Sequence, residues 1–160
     1  MNPMKYDTLS LGRLHRKGRK TGKFSTSPER FTVDLLIKGR SLYKLLDVEK
    51  RDLVGRFALD FPDHNREASE EFISGHSPHI DGMVIFFECP LCADICCGAI
   101  LAKITKTESS YGWSDFAYYK GWFEEEPELE LYEDVGPFKF SAGAYEQTIK
   151  EAEQGAPSNR

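Results

Sequence analysis

Residues 82–105 read GMVIFFECPLCADICCGAILAKIT. Two runs rich in β-formers, Gly82 to Glu88 and Gly98 to Thr105, flank a knuckle that carries four cysteines, Cys89, Cys92, Cys96 and Cys97. Apolar, β-branched runs bounded by turn residues are the pattern of paired strands. In the second run Ile100, Ala102 and Ile104 alternate with Leu101 and Lys103, which gives the sheet one well-buried face. After the turn Glu108-Ser109-Ser110, the aromatic stretch Tyr111 to Tyr119 supplies a third strand. Short connections between the runs predict an antiparallel meander whose first hairpin is tied by the knuckle.

Upstream, Phe31 to Ile37 is a β-rich run that stops at Lys38-Gly39, and Ser41 is placed to cap a short helix with Leu42, Leu45 and Leu46 on one face. Arg56 to Phe61 reads as another strand, stopped by Pro62. Asn65 then offers an N-cap for a helix through Ile73, with Ala68, Phe72 and Ile73 on its apolar face and Gly75 at its end. Downstream, Phe138 and Phe140 precede a helix from Ala142 to Glu153, with Tyr145 and Ile149 on the inner side. The expectation is a single α+β domain over residues 31–154. Its antiparallel sheet joins Phe31–Ile37, Gly82–Glu88, Gly98–Thr105 and Tyr111–Tyr119, and the helices after Ser41, Asn65 and Ser141 pack on one face.

Length and composition agree with one core. The chain has 160 residues, 40% of them hydrophobic and 29% charged, which excludes disordered, collagenous and membrane classes. The longest unbroken apolar run, Met83 to Phe87, is far short of the roughly 20 residues that span a bilayer. With no signal-peptide pattern, a cytoplasmic protein without a membrane partner is expected.

The net charge of −5 conceals an asymmetry: residues 1–23 carry +6 and the remainder −11. Residues 1–30, with scattered glycines and sparse apolar positions, read as a flexible basic arm, and residues 155–160 as a frayed tail. Within the arm Arg16, Lys17, Arg19 and Lys20 suit electrostatic contact with a polyanion. A solvated tail explains them equally simply, since no aromatic side chain interleaves as a stacking platform. Nucleic acid is expected to bind through this arm or not at all, because an acidic body repels it.

The knuckle offers metal or thiol chemistry. In a reducing compartment a Cys-x-x-Cys pair binds metal or performs redox chemistry more often than it forms a permanent disulfide. Zinc is the first candidate cofactor, with Cys89, Cys92 and Cys97 as three ligands and His79, His76 or Cys96 as a fourth. Adjacent Cys96 and Cys97 point apart on a strand, so the alternatives of a thiol pair and of reduced cysteines packing a tight turn stay open. Trp113-Ser114-Asp115-Phe116 places a serine beside an aspartate, but no nucleophile elbow accompanies them. A core tryptophan next to side chains that satisfy backbone is the simpler account. Asp60, Asp63 and His64 near Pro62 read as a solvated turn or as an acid-base cluster.

The order Cys89-Pro-Leu-Cys92, Cys97-Gly98-Ala99, Trp113-Ser-Asp-Phe116, Phe138-Lys-Phe140 and Tyr145 resembles a widespread group of small uncharacterised bacterial proteins. These carry a Cys-Pro-x-Cys-Gly-x-x-Gly-Cys-Gly knuckle, Trp-Ser-Asp-Phe, and a C-terminal Phe-x-Phe and Tyr. Lys38-Gly-Arg-Ser-Leu42 is similar to an earlier pattern of the same group. The resemblance covers about residues 31–150 and brings no established activity. This chain departs from it at Ala93 and Cys96, where the group has glycine.

From Glu124 to Asp134 there are seven acids and no base: Glu124, Glu125, Glu126, Glu128, Glu130, Glu133 and Asp134. They interleave with Leu129, Leu131 and Tyr132 and follow Trp122 and Phe123. Acids around apolar anchors suit a surface that captures a basic partner, and a solvated edge that blocks aggregation is the plain alternative. Trp122, Phe123, Glu124, Glu125, Glu126, Glu128, Glu130 and Tyr132 are therefore the candidate contacts with a basic protein. The leading expectation is a non-catalytic interaction module, of the immunity type that neutralises a basic toxin. A structural zinc or thiol protein comes second, and a conventional enzyme last, because no nucleophile, base and acid can be set together from the sequence.

Overall fold

A computed structural model describes residues 5–20, 26–27, 29–58, 61–78, 80–90, 98–120 and 127–155. The chain begins with strand β1 (Leu9–Arg16), the two-residue pair β2 (Arg19–Lys20) and β3 (Thr26–Ser27), then β4 (Arg30–Ile37) and β5 (Arg40–Ser41). Helix α1 (Leu42–Leu45), a 3-10 turn at Val48–Arg51 and β6 (Val54–Gly55) lead to α2 (Pro62–Ser74). The meander follows as β7 (Val84–Glu88), β8 (Ala99–Lys106) and β9 (Ser110–Tyr119). A 3-10 turn at Glu130–Tyr132, β10 (Phe138–Ser141) and α3 (Ala142–Glu153) complete the domain. The α+β class stands, and no helix among the described residues is long and apolar enough to cross a membrane.

The strands form two main antiparallel sheets instead of one. The larger has the order β10-β9-β8-β7-β6, and the smaller β1-β4-β5. Residues 31–37 therefore do not join the meander directly. Lys38 and Gly39, at φ 53° and 79°, turn β4 back onto β5. The two sheets touch where Val33 N–H donates to the Phe57 carbonyl at 2.8 Å. A Cβ on Gly55 at that junction would lie 3.1 Å from the Val33 carbonyl oxygen, a tight approach that favours glycine there.

The expected flexible arm is corrected over residues 9–16. This segment pairs with β4 along its whole length, from Leu9 opposite Ile37 to Arg16 opposite Arg30, and Leu9 and Leu11 pack against the core. The sparse apolar residues suffice because the backbone ladder to β4 holds the strand in place and β1 also packs against α3 (Ala142–Glu153). The expected strand at 56–61 is shorter and earlier, pairing Val54 with Glu88 and Gly55 with Phe87. Helix α2 starts at Pro62, a favoured first position because its missing N–H has no helical partner to lose. Asn65 is thus not the N-cap. Its buried side chain receives the Ala58 N–H at 2.9 Å and donates to the Ala58 carbonyl at 2.6 Å, pinning the chain ahead of the helix. Gly75 ends α2 at φ 81° as expected.

One bulge explains Trp-Ser-Asp-Phe. Between β8 and β9 the register shifts so that Leu101 faces Ala117 but Lys103 faces Ser114, with Asp115 at φ 54°. The extra residue brings Trp113 and Phe116, three positions apart, onto the same core face. There they meet Phe72 of α2, Phe86 of β7 and Tyr145 of α3. Trp113 Nε1–H donates to the Tyr145 hydroxyl at 3.1 Å, and that hydroxyl donates to the Phe72 carbonyl at 2.8 Å. The chain of bonds satisfies a carbonyl in the last turn of α2, where the helix itself offers no donor.

Candidate functional site

The acidic segment is built from β9 onward. Tyr118 and Glu128 exchange backbone bonds of 3.0 and 2.8 Å, fastening the segment to the sheet, and the 3-10 turn at Glu130–Tyr132 then splits its apolar residues. Tyr132 turns inward at 7% exposure and joins the core, while Leu129 and Leu131 stay 49% and 48% exposed. This corrects Tyr132 as a partner contact: burial pushes its phenol above the ordinary value, and the Arg51 guanidinium bonded to it offsets only part of that shift. Glu128 pairs with Lys120 at 2.9 Å. Glu130, Glu133 and Asp134 are exposed and carry no ion pair among the described residues. Trp122, Phe123, Glu124, Glu125 and Glu126 lie outside the described residues.

Phe61 is the other exposed large apolar side chain among the described residues, and the Arg30 guanidinium lies over its ring at 5.1 Å. Beside the acidic segment, Leu45, Leu46, Leu131, Tyr132 and Val135 line a cleft of about 250 Å3 together with Asp47, Lys50, Arg51 and Asp134.

A second cluster is a buried charge network that the sequence reading did not assemble. Arg56 donates from Nη1 and Nη2 to the two carboxylate oxygens of Glu71, at 3.2 and 3.1 Å, and from Nη1 to the Ile85 carbonyl at 2.8 Å. Its Nε lies 3.2 Å from Glu88 Oε1, an ion pair without hydrogen-bond alignment. The other Glu88 oxygen meets His64 Nε2 at 2.6 Å. With His64 protonated, two cations face two carboxylates and the cluster is neutral. The network ties α2 to β7 and to the segment after β6. One signal of it was present in the sequence: Glu71 falls between Ala68 and Phe72 on the helix face read as apolar.

Of the residues near Pro62 read as a turn or acid-base cluster, Asp63 is exposed and pairs with Arg66 at 3.5 Å, His64 belongs to the buried network, and Asp60 lies outside the described residues. The hydrogen bond to Glu88 raises the pKa of His64 above its ordinary value, against the opposing effect of burial. Because the folded value is the higher one, the stabilisation is fully present below the unfolded value of about 6.5 and is lost as pH rises through the folded value. The stability advantage of the wild type over His64→Gln is expected to be largest below about pH 6.5 and to shrink as pH rises above it in paired urea titrations. A gap that is constant with pH would show that the proton on His64 contributes nothing.

The basic N-terminal candidates divide. Arg16 places Nε and Nη2 on the two Asp52 carboxylate oxygens, both at 2.8 Å, and its side chain is 11% exposed. It is a structural clamp between β1 and the end of the 3-10 turn, which corrects it as a polyanion contact. Lys17 is exposed. The backbone of Arg19 and Lys20 pairs with Thr26 and Ser27. Cys89, partly buried, follows the last residue of β7, and β7 pairs with β8 as the hairpin reading requires. Cys92, Cys96, Cys97 and His79 lie outside the described residues, and among the described ones no three His, Cys, Asp or Glu side chains are grouped to hold a metal.

Comparison of the chain with protein-family models, curated proteins and solved structures gives no match.

Proposed function

We propose that the protein is a non-catalytic interaction module that binds a basic protein partner through the face around residues 128–134, in the manner of an immunity-type protein that neutralises a basic toxin or nuclease. The observation that carries this reading is the pair Leu129 and Leu131, each about half exposed, set among the carboxylates of Glu130, Glu133 and Asp134, which have no ion pair among the described residues. Apolar side chains of this size gain by desolvation when a partner covers them. Surrounding carboxylates speed encounter with a cationic surface and penalise an acidic one. The −11 charge outside residues 1–23 extends the same preference over the whole body.

The test is selection of peptides from an unbiased display library on the immobilised full-length chain. Enrichment of lysine- and arginine-rich peptides is expected, with binding that weakens as salt rises. Leu129→Ser with Leu131→Ser is expected to weaken the selected peptides at least tenfold, equivalent to about 1.4 kcal/mol. Charge reversal at Glu130, Glu133 and Asp134 should act chiefly on the association rate. Peptides with no basic enrichment, or binding unchanged in both variants, would overturn the proposal.

A further inference from the structure

We infer that β1 is a docking edge for an extended acidic peptide segment, which adds to the smaller sheet as a further strand. β1 ends the order β1-β4-β5, so one side of its backbone pairs with β4 and the other with no strand among the described residues. Which residues face outward follows from the register. Lys38 N–H donates to the Thr8 carbonyl at 3.0 Å, whereas Val33, opposite Arg13, gives its N–H to the Phe57 carbonyl on its other side. Hydrogen-bonded and non-bonded pairs alternate along an antiparallel ladder. Ser10, Gly12, Leu14 and Arg16 therefore bond to β4, and the N–H and C=O groups of Leu9, Leu11, Arg13 and His15 point away from it. Just before the strand the outward side is closed, because Asp7 N–H donates to the Lys139 carbonyl at 2.7 Å. From Leu9 onward no outward group has a backbone partner among the described residues. A row of open donors and acceptors of this length is a template for strand addition.

The charges along this edge select the occupant. Arg16 is matched by Asp52 at 2.8 Å, His15 by Glu29 at 2.7 Å, and Asp7 by Lys38 at 3.1 Å. On β4, Arg30 and Asp34 offset each other, and β1 itself contains no acid. Arg13 and Lys17 remain: both are exposed and neither has an ion pair among the described residues. The edge is therefore positive whether or not His15 carries a proton, in contrast to the −11 outside residues 1–23. Opposite charges facing each other across a strand pair stabilise it and like charges oppose it, so an acidic strand is favoured over a neutral one and a basic one is penalised. A nucleic acid would meet the same two cations but has no main chain to answer the alternating N–H and C=O groups, which favours a peptide.

The experiment follows amide shifts and hydrogen exchange of the full chain by NMR with four probes. These are a peptide of alternating valine and glutamate matched in length to β1, the same peptide N-methylated throughout, a peptide of alternating valine and lysine, and a single-stranded oligouridylate. In the free chain the amides of Ser10, Gly12, Leu14 and Arg16 are expected to exchange slowly and those of Leu11, Arg13 and His15 fast. The acidic peptide should slow the second set, with binding that weakens as salt rises. N-methylation, which removes the peptide's own donors, should weaken it about tenfold or more. The lysine peptide should leave the β1 amides unmoved, wherever else on the chain it binds. Arg13→Glu with Lys17→Glu, both at exposed positions, should weaken the acidic peptide about tenfold. The inference is overturned if no peptide slows the outward amides, in which case the two cations only guard the edge. It is overturned equally if the N-methylated or the lysine peptide binds β1 as well as the acidic one, or if oligouridylate shifts β1 while the acidic peptide does not. The inference does not rest on the face around residues 128–134, so its failure leaves the functional reading standing.

Discussion

Arg56→Ala is expected to destabilise the fold by about 3–5 kcal/mol, the cost of breaking a buried ion pair by removing one partner. The Arg56 side chain is 3% exposed, and the Glu71 and Glu88 carboxylates it faces are 6% and 7% exposed. Without the guanidinium these two acids lose their shared cation, and the Ile85 carbonyl loses a 2.8 Å donor. Domains of this size are stable by only about 5–15 kcal/mol in all, so the variant should unfold at much lower urea and accumulate poorly. The comparison that isolates the charge is the triple replacement Arg56→Met, Glu71→Leu and Glu88→Leu. Exchanging a buried ionic set for apolar groups is often neutral or stabilising by about 1–4 kcal/mol, and the member left behind, His64, is 28% exposed and can shed its proton to water. Urea unfolding of the two variants should therefore rank the triple above the single. A loss below about 1 kcal/mol in Arg56→Ala, or a triple variant no better than the single, would mean that the network does not hold uncompensated charge in check.

The second large effect is expected at Trp113. Its side chain is fully buried, with edge-to-face contacts to Phe86 at 4.8 Å and Phe140 at 4.7 Å between ring centroids. Trp113→Ala should cost about 3–5 kcal/mol, from the lost apolar transfer and the cavity left behind. Trp113→Phe separates packing from hydrogen bonding. The Tyr145 hydroxyl still donates to the Phe72 carbonyl in that variant and loses only the indole donor, a difference of about 0.5–1.5 kcal/mol beyond the change in volume. If alanine and phenylalanine cost the same, the ring contacts are not what holds α2 and α3 on the sheet.

What could be read from the sequence was local. The strands from Gly82 to Tyr119 and the helix after Ser141 carry their own periodicity, and neighbours in sequence pair with one another. Residues 9–16 have no such signal. Gly12 and the basic residues suggest a loop until β4 is placed beside them and Asp52 closes on Arg16. The division into two sheets depends on the same long-range pairing of β4. In the candidate site, the acids were legible as a run, but which apolar residue faces outward was not. A 3-10 turn has three residues per turn, so its inward and outward positions follow neither the strand nor the α-helix period. The charge network is hidden in the sequence because Arg56 after β6, Glu71 within α2 and Glu88 at the end of β7 lie far apart in the chain, so none of them points to the others. His64, the one member noticed, was grouped with Asp63, its sequence neighbour, instead of with Glu88 across the fold.

The way the larger sheet ends bears on how other chains can approach it. Its outermost strands are only two residues (β6) and four residues (β10) long. Past β6 the Thr32–Ala58 bridge occupies the backbone, and past β10 the Tyr118–Glu128 bridge takes the far end of the β9 edge. A foreign strand therefore finds little open main chain on which to continue the ladder, and growth of this sheet into fibrils is discouraged at both margins.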